Sequence, residues 1–153
     1  MISAALRPRG PFSLRLSGRL SSDATRTFAE GVMVAALAAG GVGRAWQQPD
    51  GVVQLRAEGD AGIDELRFVL ALDDDHSPFL ERFARDPLVG KATRRLRGLR
   101  PLRLSTVTQA LLRAVCGQLV QSSRARAIER TVIRAATPVL PGTRLHRPPH
   151  PAA

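Results

Sequence analysis

Residues 42–58 read VGRAWQQPDGVVQLRAE, and this stretch decides how the first third of the chain folds. Pro49, Asp50 and Gly51 separate two runs, Val42–Gln48 and Val52–Glu58. Proline presets a turn dihedral, aspartate closes onto its own backbone, and glycine accepts a positive φ. The two runs are therefore predicted to pair as a β-hairpin. Upstream, Gly31, Gly40 and Gly41 punctuate the stretch Thr25 to Ala39, and Val32 and Val34 stand at strand spacing. Ser22 and Asp23 could cap a helix there, but strands are the expectation. Phe12, Leu14 and Leu16 alternate with Ser13, Arg15 and Ser17, which predicts another half-buried strand. Met1 to Gly10, with Pro8 and Gly10, reads as a loose start. The first 58 residues are thus expected to build a small antiparallel sheet.

Beyond that point the period lengthens. Ile63, Leu66, Val69 and Leu70 share one helical face, with Asp60 as a plausible N-cap and Asp73-Asp74-Asp75 as the stop. Ser77-Pro78 opens a short helix carrying Phe79, Leu80 and Phe83, and Asp86-Pro87 opens a third that runs through Lys91 and Arg94 to Leu96. Gly98 and Pro101 then make a loop. Thr106 and Gln109 have capping-box spacing and introduce a helix with Val107, Leu111, Ala114 and Val115 as its apolar face. Gly117 interrupts it. A last helix starts at Ser122 or Ser123 and is expected to turn Ile128, Val132 and Ala135 inward and Arg126, Arg130 and Arg134 outward. Thr137 to Ala153 holds five prolines and no periodic face, so a disordered tail is predicted. Sheet first and helices afterwards means an α+β fold. Its segments are a loose 1–10, a sheet-plus-helix domain over 11–72, a helical region over 73–136 and the tail 137–153.

The chain has 153 residues, 44% hydrophobic and 24% charged, a globular composition. Its net charge of +10 is unevenly spread. Residues 1–58 carry seven Arg against four acids, and residues 59–86 carry eight acids against three Arg. Residues 87–153 carry thirteen cations against Glu129 alone. A one-sided cationic region favours a polyanion, nucleic acid being the commonest, while solvated helix faces are the bland alternative. No run approaches the roughly 18 apolar residues of a membrane helix, so no membrane partner is expected. No apolar segment follows Arg7 and Arg9, so a secretory signal is not expected either. The expected location is the cytoplasm, at the nucleoid if the source is bacterial. Cys116, the single cysteine, excludes an internal disulfide and a cysteine-rich zinc site.

Asp73, Asp74, Asp75 and His76 are too close together to converge on one cation and read as a helix end with a solvated loop. His146 and His150 fall in the proline-rich segment, and Cys116 among Leu112 and Val115 reads as a small core residue. No general base stands out in the basic half, and neither a metal nor a cofactor is expected. The arginines carry more. Arg94, Arg95, Arg97, Arg100 and Arg103 form one group and Arg124, Arg126, Arg130 and Arg134 a second, and guanidinium forks in such groups fit phosphate oxygens.

The run Leu111-Leu112-Arg113-Ala114-Val115-Cys116-Gly117-Gln118-Leu119-Val120, followed by Ala125, resembles the first core helix of helix-hairpin-helix DNA glycosylases of the alkylpurine type, the 3-methyladenine DNA glycosylases II. Phe68-Val69-Leu70-Ala71-Leu72-Asp73, Phe79, Phe83-Ala84-Arg85-Asp86-Pro87-Leu88 and Gly98-Leu99-Arg100-Pro101 resemble the segments before it, and the likeness spans roughly residues 11–136. It implies an N-terminal sheet domain like the TATA-binding protein and the opening helices of an all-α glycosylase domain. It implies double-stranded DNA as partner, with Leu119 as a wedge in the gap left by a flipped nucleotide and Gln118 against the opened pair.

The sequence departs from the family in three ways. Gln121 stands where the family commonly has Ser. Leu140-Pro141-Gly142 is followed by Thr143-Arg144 and not by the family's hairpin glycines, and no Asp occurs after Asp86. The resemblance thus implies the front portion of a glycosylase, with no catalytic residue of its own and a second polypeptide to supply the rest. A non-catalytic Arg-rich DNA-binding module, or a basic accessory protein, is the alternative. Helices taken from the middle of a domain are also expected to leave apolar surface uncovered around Leu111, Val115 and Val132.

Overall fold

The computed structural model describes residues 1–118 and 120–151. Five antiparallel strands, β1 (Ile2–Leu6), β2 (Arg26–Ala29), β3 (Val32–Ala36), β4 (Val42–Gln47) and β5 (Val53–Ala57), form one sheet in the order β1-β5-β4-β3-β2. The central hairpin forms as its turn residues dictate. Gly51 N–H donates to the Gln48 carbonyl at 2.9 Å, Asp50 accepts from Val52 N–H at 3.0 Å, and Gly51 takes φ +87°. Alternation then sets the faces. Met33, Ala35, Ala45, Val53, Leu55 and Ala57 point to one side, where helix α2 (Asp60–Val69) covers them with Ile63, Leu66 and Val69. Gly43 leaves the room that Leu66 fills: a Cβ there would stand 2.9 Å from its methyl group.

Two N-terminal expectations change. The start is not loose, because β1 pairs along the free edge of β5 from Ile2↔Ala57 to Leu6↔Val53 and lends Ala4 and Leu6 to the core. The period-two run at Phe12–Ser17 is not a strand. Ser13 accepts from Leu16 N–H at 3.2 Å and caps a single-turn helix α1 (Leu14–Gly18), whose Leu14 is buried in the main core. A serine that caps outweighs a short alternation.

Four more helices follow, α3 (Ser77–Arg82), α4 (Gly90–Arg95), α5 (Val107–Cys116) and α6 (Ser122–Ala136). Helix α4 starts later than its proline suggests, because the Asp86 carboxylate accepts from Leu88 and Val89 N–H, both at 2.9 Å, and closes a turn first. Among the described residues no helix is long and apolar enough to cross a membrane.

The expected disorder of 137–153 is also corrected as far as residue 151. Val139 bridges to His146, and Leu140 and Leu145 are buried on the sheet face opposite α2, against Ala36, Val34 and Val42. Leu140-Pro141-Gly142-Thr143 closes a tight turn, with Thr143 N–H on the Leu140 carbonyl at 3.1 Å and Gly142 at φ +72°. Proline followed by a positive-φ glycine is the chemistry of a type II turn, so the prolines here order the backbone. His146 N–H donates to the Ala24 carbonyl at 2.8 Å, and Thr106 Oγ1 donates to the Pro149 carbonyl, which ties the segment to both the sheet and the start of α5.

Candidate nucleic-acid interface

Helices α5 and α6 pack as a hairpin whose turn holds Gly117 and Gln118. Thr106 caps α5 by accepting from Gln109 N–H at 3.1 Å. The capping box stays half-made, because the Gln109 side chain does not return to the cap. It is buried against the sheet domain and donates from Nε2 to Thr25 Oγ1 at 3.1 Å.

One turn later, Arg113 joins three parts of the chain. Its guanidinium donates to Asp23 Oδ2 at 2.7 Å, in the loop before β2, and to Glu129 Oε1 at 2.9 Å, on α6. Glu129 and Asp23 are buried, so water screens these pairs little. Burial works to lower the Arg113 pKa, but the hydrogen bonds to Glu129 and Asp23 outweigh it and leave it raised. Beside it, Arg26 is buried and donates to the carbonyls of Ser21 and Arg103; desolvation pulls its pKa below the ordinary arginine value. Sequence reading did not single out this network. A signal was present: Glu129 is the one acid among thirteen cations, and an isolated acid in such a segment needs a partner.

The inward faces therefore differ from the expected ones. Helix α5 turns Gln109 and Arg113 to the sheet domain, and α6 turns Ala125, Glu129 and Ile133 inward, in place of Ile128, Val132 and Ala135. Val107, Leu111 and Val115 are 75%, 62% and 66% exposed, so the apolar face of α5 looks outward. A cleft of about 250 Å³ remains between the sheet domain and the hairpin turn, lined by Leu20, Ser21, Gly117, Val120, Arg126 and Arg130 among others.

The candidate phosphate ligands divide. Arg94, Arg95, Arg97, Arg124, Arg126 and Arg130 are exposed, with Arg94 donating to the Ala84 carbonyl and Arg126 to the Leu20 carbonyl at 3.3 Å. Arg103 is half-buried, held bidentate by Asp74 at 2.8 and 2.9 Å and stacked on Phe68. Arg100 cannot serve as a phosphate contact. It is 1% exposed, donates to the carbonyls of Arg9, Pro11 and Ala71, and lies over the Phe12 ring. Five donors in a planar fork suit it to gathering carbonyls from separate loops, and it fastens the 98–101 loop to the N-terminal domain.

The acidic loop shows divergence. Asp73 pairs with Arg67, Asp74 with Arg103, and Asp75 accepts from Ser77 N–H. Cys116 is half-buried. Gln118 is exposed on the hairpin turn, and Leu119 lies outside the described residues.

No family model and no curated protein matches the chain. Solved structures do. The chain is similar to a 3-methyladenine DNA glycosylase from Archaeoglobus fulgidus, with 12% identity and a TM-score of 0.76 over 95% of this chain and 56% of that one. It is similar to MBOgg1 in complex with a low-affinity DNA ligand, with 15% identity and a TM-score of 0.75 over 97% and 52%. It is also similar to a Clostridium acetobutylicum 8-oxoguanine glycosylase/lyase in complex with double-stranded DNA containing cytosine opposite 8-oxoG, with 14% identity and a TM-score of 0.71 over 98% and 54%.

The fold is that of DNA glycosylases. The chain spans about half the length of the glycosylase structures it matches. Within that half, α2 packs on the sheet, and the α5–α6 hairpin is fixed to this unit through Arg113 on Asp23 and Gln109 on Thr25.

Proposed function

We propose that the chain is the DNA-engaging front portion of a base-excision glycosylase of the alkylpurine type. The observation that supports this most is the glycosylase fold along 95–98% of its length. Arg94, Arg95, Arg97, Arg124, Arg126 and Arg130 are the proposed contacts to duplex phosphates. Leu119 is the proposed wedge, and Gln118 the group that meets the opened pair. Extruding a base costs a few kcal/mol, and an apolar plug with an amide donor beside it restores part of the lost stacking and pairing.

Hydrolysis of the glycosidic bond needs a carboxylate near the cationic sugar of the transition state. Glu129, the one acid after Asp86, is buried against Arg113. We therefore assign the catalytic carboxylate to polypeptide beyond these 153 residues. The same observation favours a second reading, a DNA-binding module that does no chemistry.

Fluorescence anisotropy with a duplex carrying one alkylated purine, against its undamaged twin, tests the proposal. Preferential binding of the damaged duplex, lost in Leu119→Ala, is expected. Affinity should fall with salt, and each phosphate-contacting arginine removed should lower the slope of log K on log salt by about 0.9. Equal binding of both duplexes by wild type and Leu119→Ala would leave the non-catalytic module, and absence of duplex binding would remove both.

A further inference from the structure

We propose that the face of the sheet turned away from α2 binds a single-stranded nucleic-acid segment, with one phosphate between Arg44 and Arg56 and one base on Trp46. Strand alternation builds the site. Ala45 and Leu55 point into the main core, so Arg44, Trp46, Gln54 and Arg56 point to the other side. The register sets Arg44 directly opposite Arg56 and Trp46 directly opposite Gln54. Both arginines are exposed, and Trp46 and Gln54 are half-buried. Among the described residues neither arginine makes an ion pair. Glu58, next in the alternation of β5, lies by Gly41, where an added Cβ would stand 2.7 Å from its carboxylate. Leu140 and Leu145 cover Val34, Ala36 and Val42 on this face, and neither apolar cluster takes in Trp46.

These four side chains suit one ligand. Like charges directly opposite each other on paired strands destabilise a sheet, and an anion between the two guanidinium groups relieves that repulsion. Their Cβ atoms are about 5 Å apart, so both forks can donate to a single phosphate. Trp46 follows Arg44 by two residues on the same face, about 7 Å along the strand. One nucleotide spans that distance between its phosphate and its base, and the base then stacks on the indole. Gln54, beside Trp46, both donates and accepts and so suits a base edge. A duplex keeps its base faces inside the stack and offers Trp46 nothing. An acidic peptide engages the arginines but leaves the tryptophan without a partner. Arg44, Arg56 and Trp46 belong neither to the α5–α6 hairpin nor to the arginines assigned to duplex phosphates, so this inference does not need the DNA-repair reading, and the two fail separately.

Trp46 is the only tryptophan, so its fluorescence reports on this face alone. An unlabelled thymidine octamer added to the full 153-residue chain should quench that fluorescence saturably. An abasic octamer with the same phosphates should compete about fivefold more weakly or worse, because it lacks the stacking base. Arg44→Gln with Arg56→Gln should weaken binding of the thymidine octamer at least tenfold while the far-ultraviolet circular dichroism stays unchanged. The slope of log K on log salt should fall by about 0.7, the share of one phosphate on a single strand. If the double variant misfolds, Arg56→Gln alone carries the same expectation. Absence of quenching up to about 1 mM, or undiminished quenching in the variants, overturns the proposal. Competition by the abasic octamer equal to that of the thymidine octamer overturns it as well, since the phosphates alone would then be bound. So does equal competition by a blunt duplex, which would make double-stranded DNA the occupant, or by octaglutamate, which would make it an acidic protein segment. Anisotropy of a labelled duplex should be the same for wild type and the variants, and a loss there would place duplex phosphates on this face and overturn the assignment too.

Discussion

The sheet layer and the α5–α6 hairpin bury opposite kinds of side chain. Under the sheet, Met33, Leu55, Leu66 and Val69 meet in an apolar interior, and on its other face Ala36, Val34 and Val42 are covered by Leu140 and Leu145. Between the sheet domain and the hairpin, the side chains of Thr25, Gln109, Asp23 and Glu129 are buried and Arg113, partly exposed, joins them, while Leu111 and Val115 look away. Apolar packing is non-directional and accepts many arrangements of similar area. Ion pairs and amides accept few. The sheet layer thus carries the stability of the molecule, and the polar contact fixes the orientation of a hairpin whose apolar face remains free.

The largest effect expected from this contrast comes from Arg113→Met. Methionine fills similar volume but leaves Asp23 and Glu129 buried together without the cation that joins them. The loss should be about 3 kcal/mol, the lower end of the range for a broken buried pair, because Glu129 is left without its cation while Arg26 still stands 3.6 Å from Asp23. Urea unfolding should show that loss, and hydrogen exchange should show α5 and α6 opening before the sheet. A loss below about 1 kcal/mol would mean that Ala125 and Ile133 hold the hairpin and that the polar contact sets nothing.

A pair of leucines sharpens the same comparison. Leu66 is fully buried under the sheet, and Leu111 is 62% exposed. Leu66→Ala should cost about 2–5 kcal/mol, the range for a buried leucine that leaves a cavity. Leu111→Ala should stay within about 0.5 kcal/mol, as for a surface position. Thermal melts of both variants decide it. Similar losses would show that Leu111 is buried in solution, and hence that its face is already covered.

These contrasts also explain what could be read from the sequence. The β4–β5 hairpin was legible because Pro49-Asp50-Gly51 determines its turn locally, and α2 because Ile63, Leu66 and Val69 have a partner surface within the same chain. The inward faces of α5 and α6 were not. Periodicity finds the apolar stripe Val107-Leu111-Val115, and the expectation that Leu111 and Val115 stay uncovered holds, but on α6 the step from apolar to inward for Ile128 and Ala135 assumes that the covering surface lies within the sequence. Arg100 was misread for a related reason: an arginine fork recognises carbonyl oxygens as readily as phosphates, and only the meeting of Arg9, Pro11 and Ala71 in space distinguishes them. The ordered 137–151 segment depends on a sheet face, formed by Val34, Ala36 and Val42, that lies a hundred residues away in sequence.

Gln109 gives a small effect and the finest test of whether the polar contact is built for specificity. Thr25 has one hydroxyl proton, which goes to Asp23 Oδ1 at 2.8 Å, so Thr25 Oγ1 accepts from Gln109 Nε2. Gln109 Oε1 is then left buried without a partner. An unpaired buried acceptor costs about 1–3 kcal/mol, which offsets most of what the amide gains from Thr25. Gln109→Met removes the orphan and keeps the volume, so its stability should lie within about 1 kcal/mol of wild type. Gln109→Glu puts a charge where the neutral oxygen already lacked a donor, one hydroxyl away from Asp23, and should be clearly worse. If methionine costs more than glutamate, a donor reaches Oε1 in solution and the contact between sheet and hairpin is more completely paired than its geometry indicates.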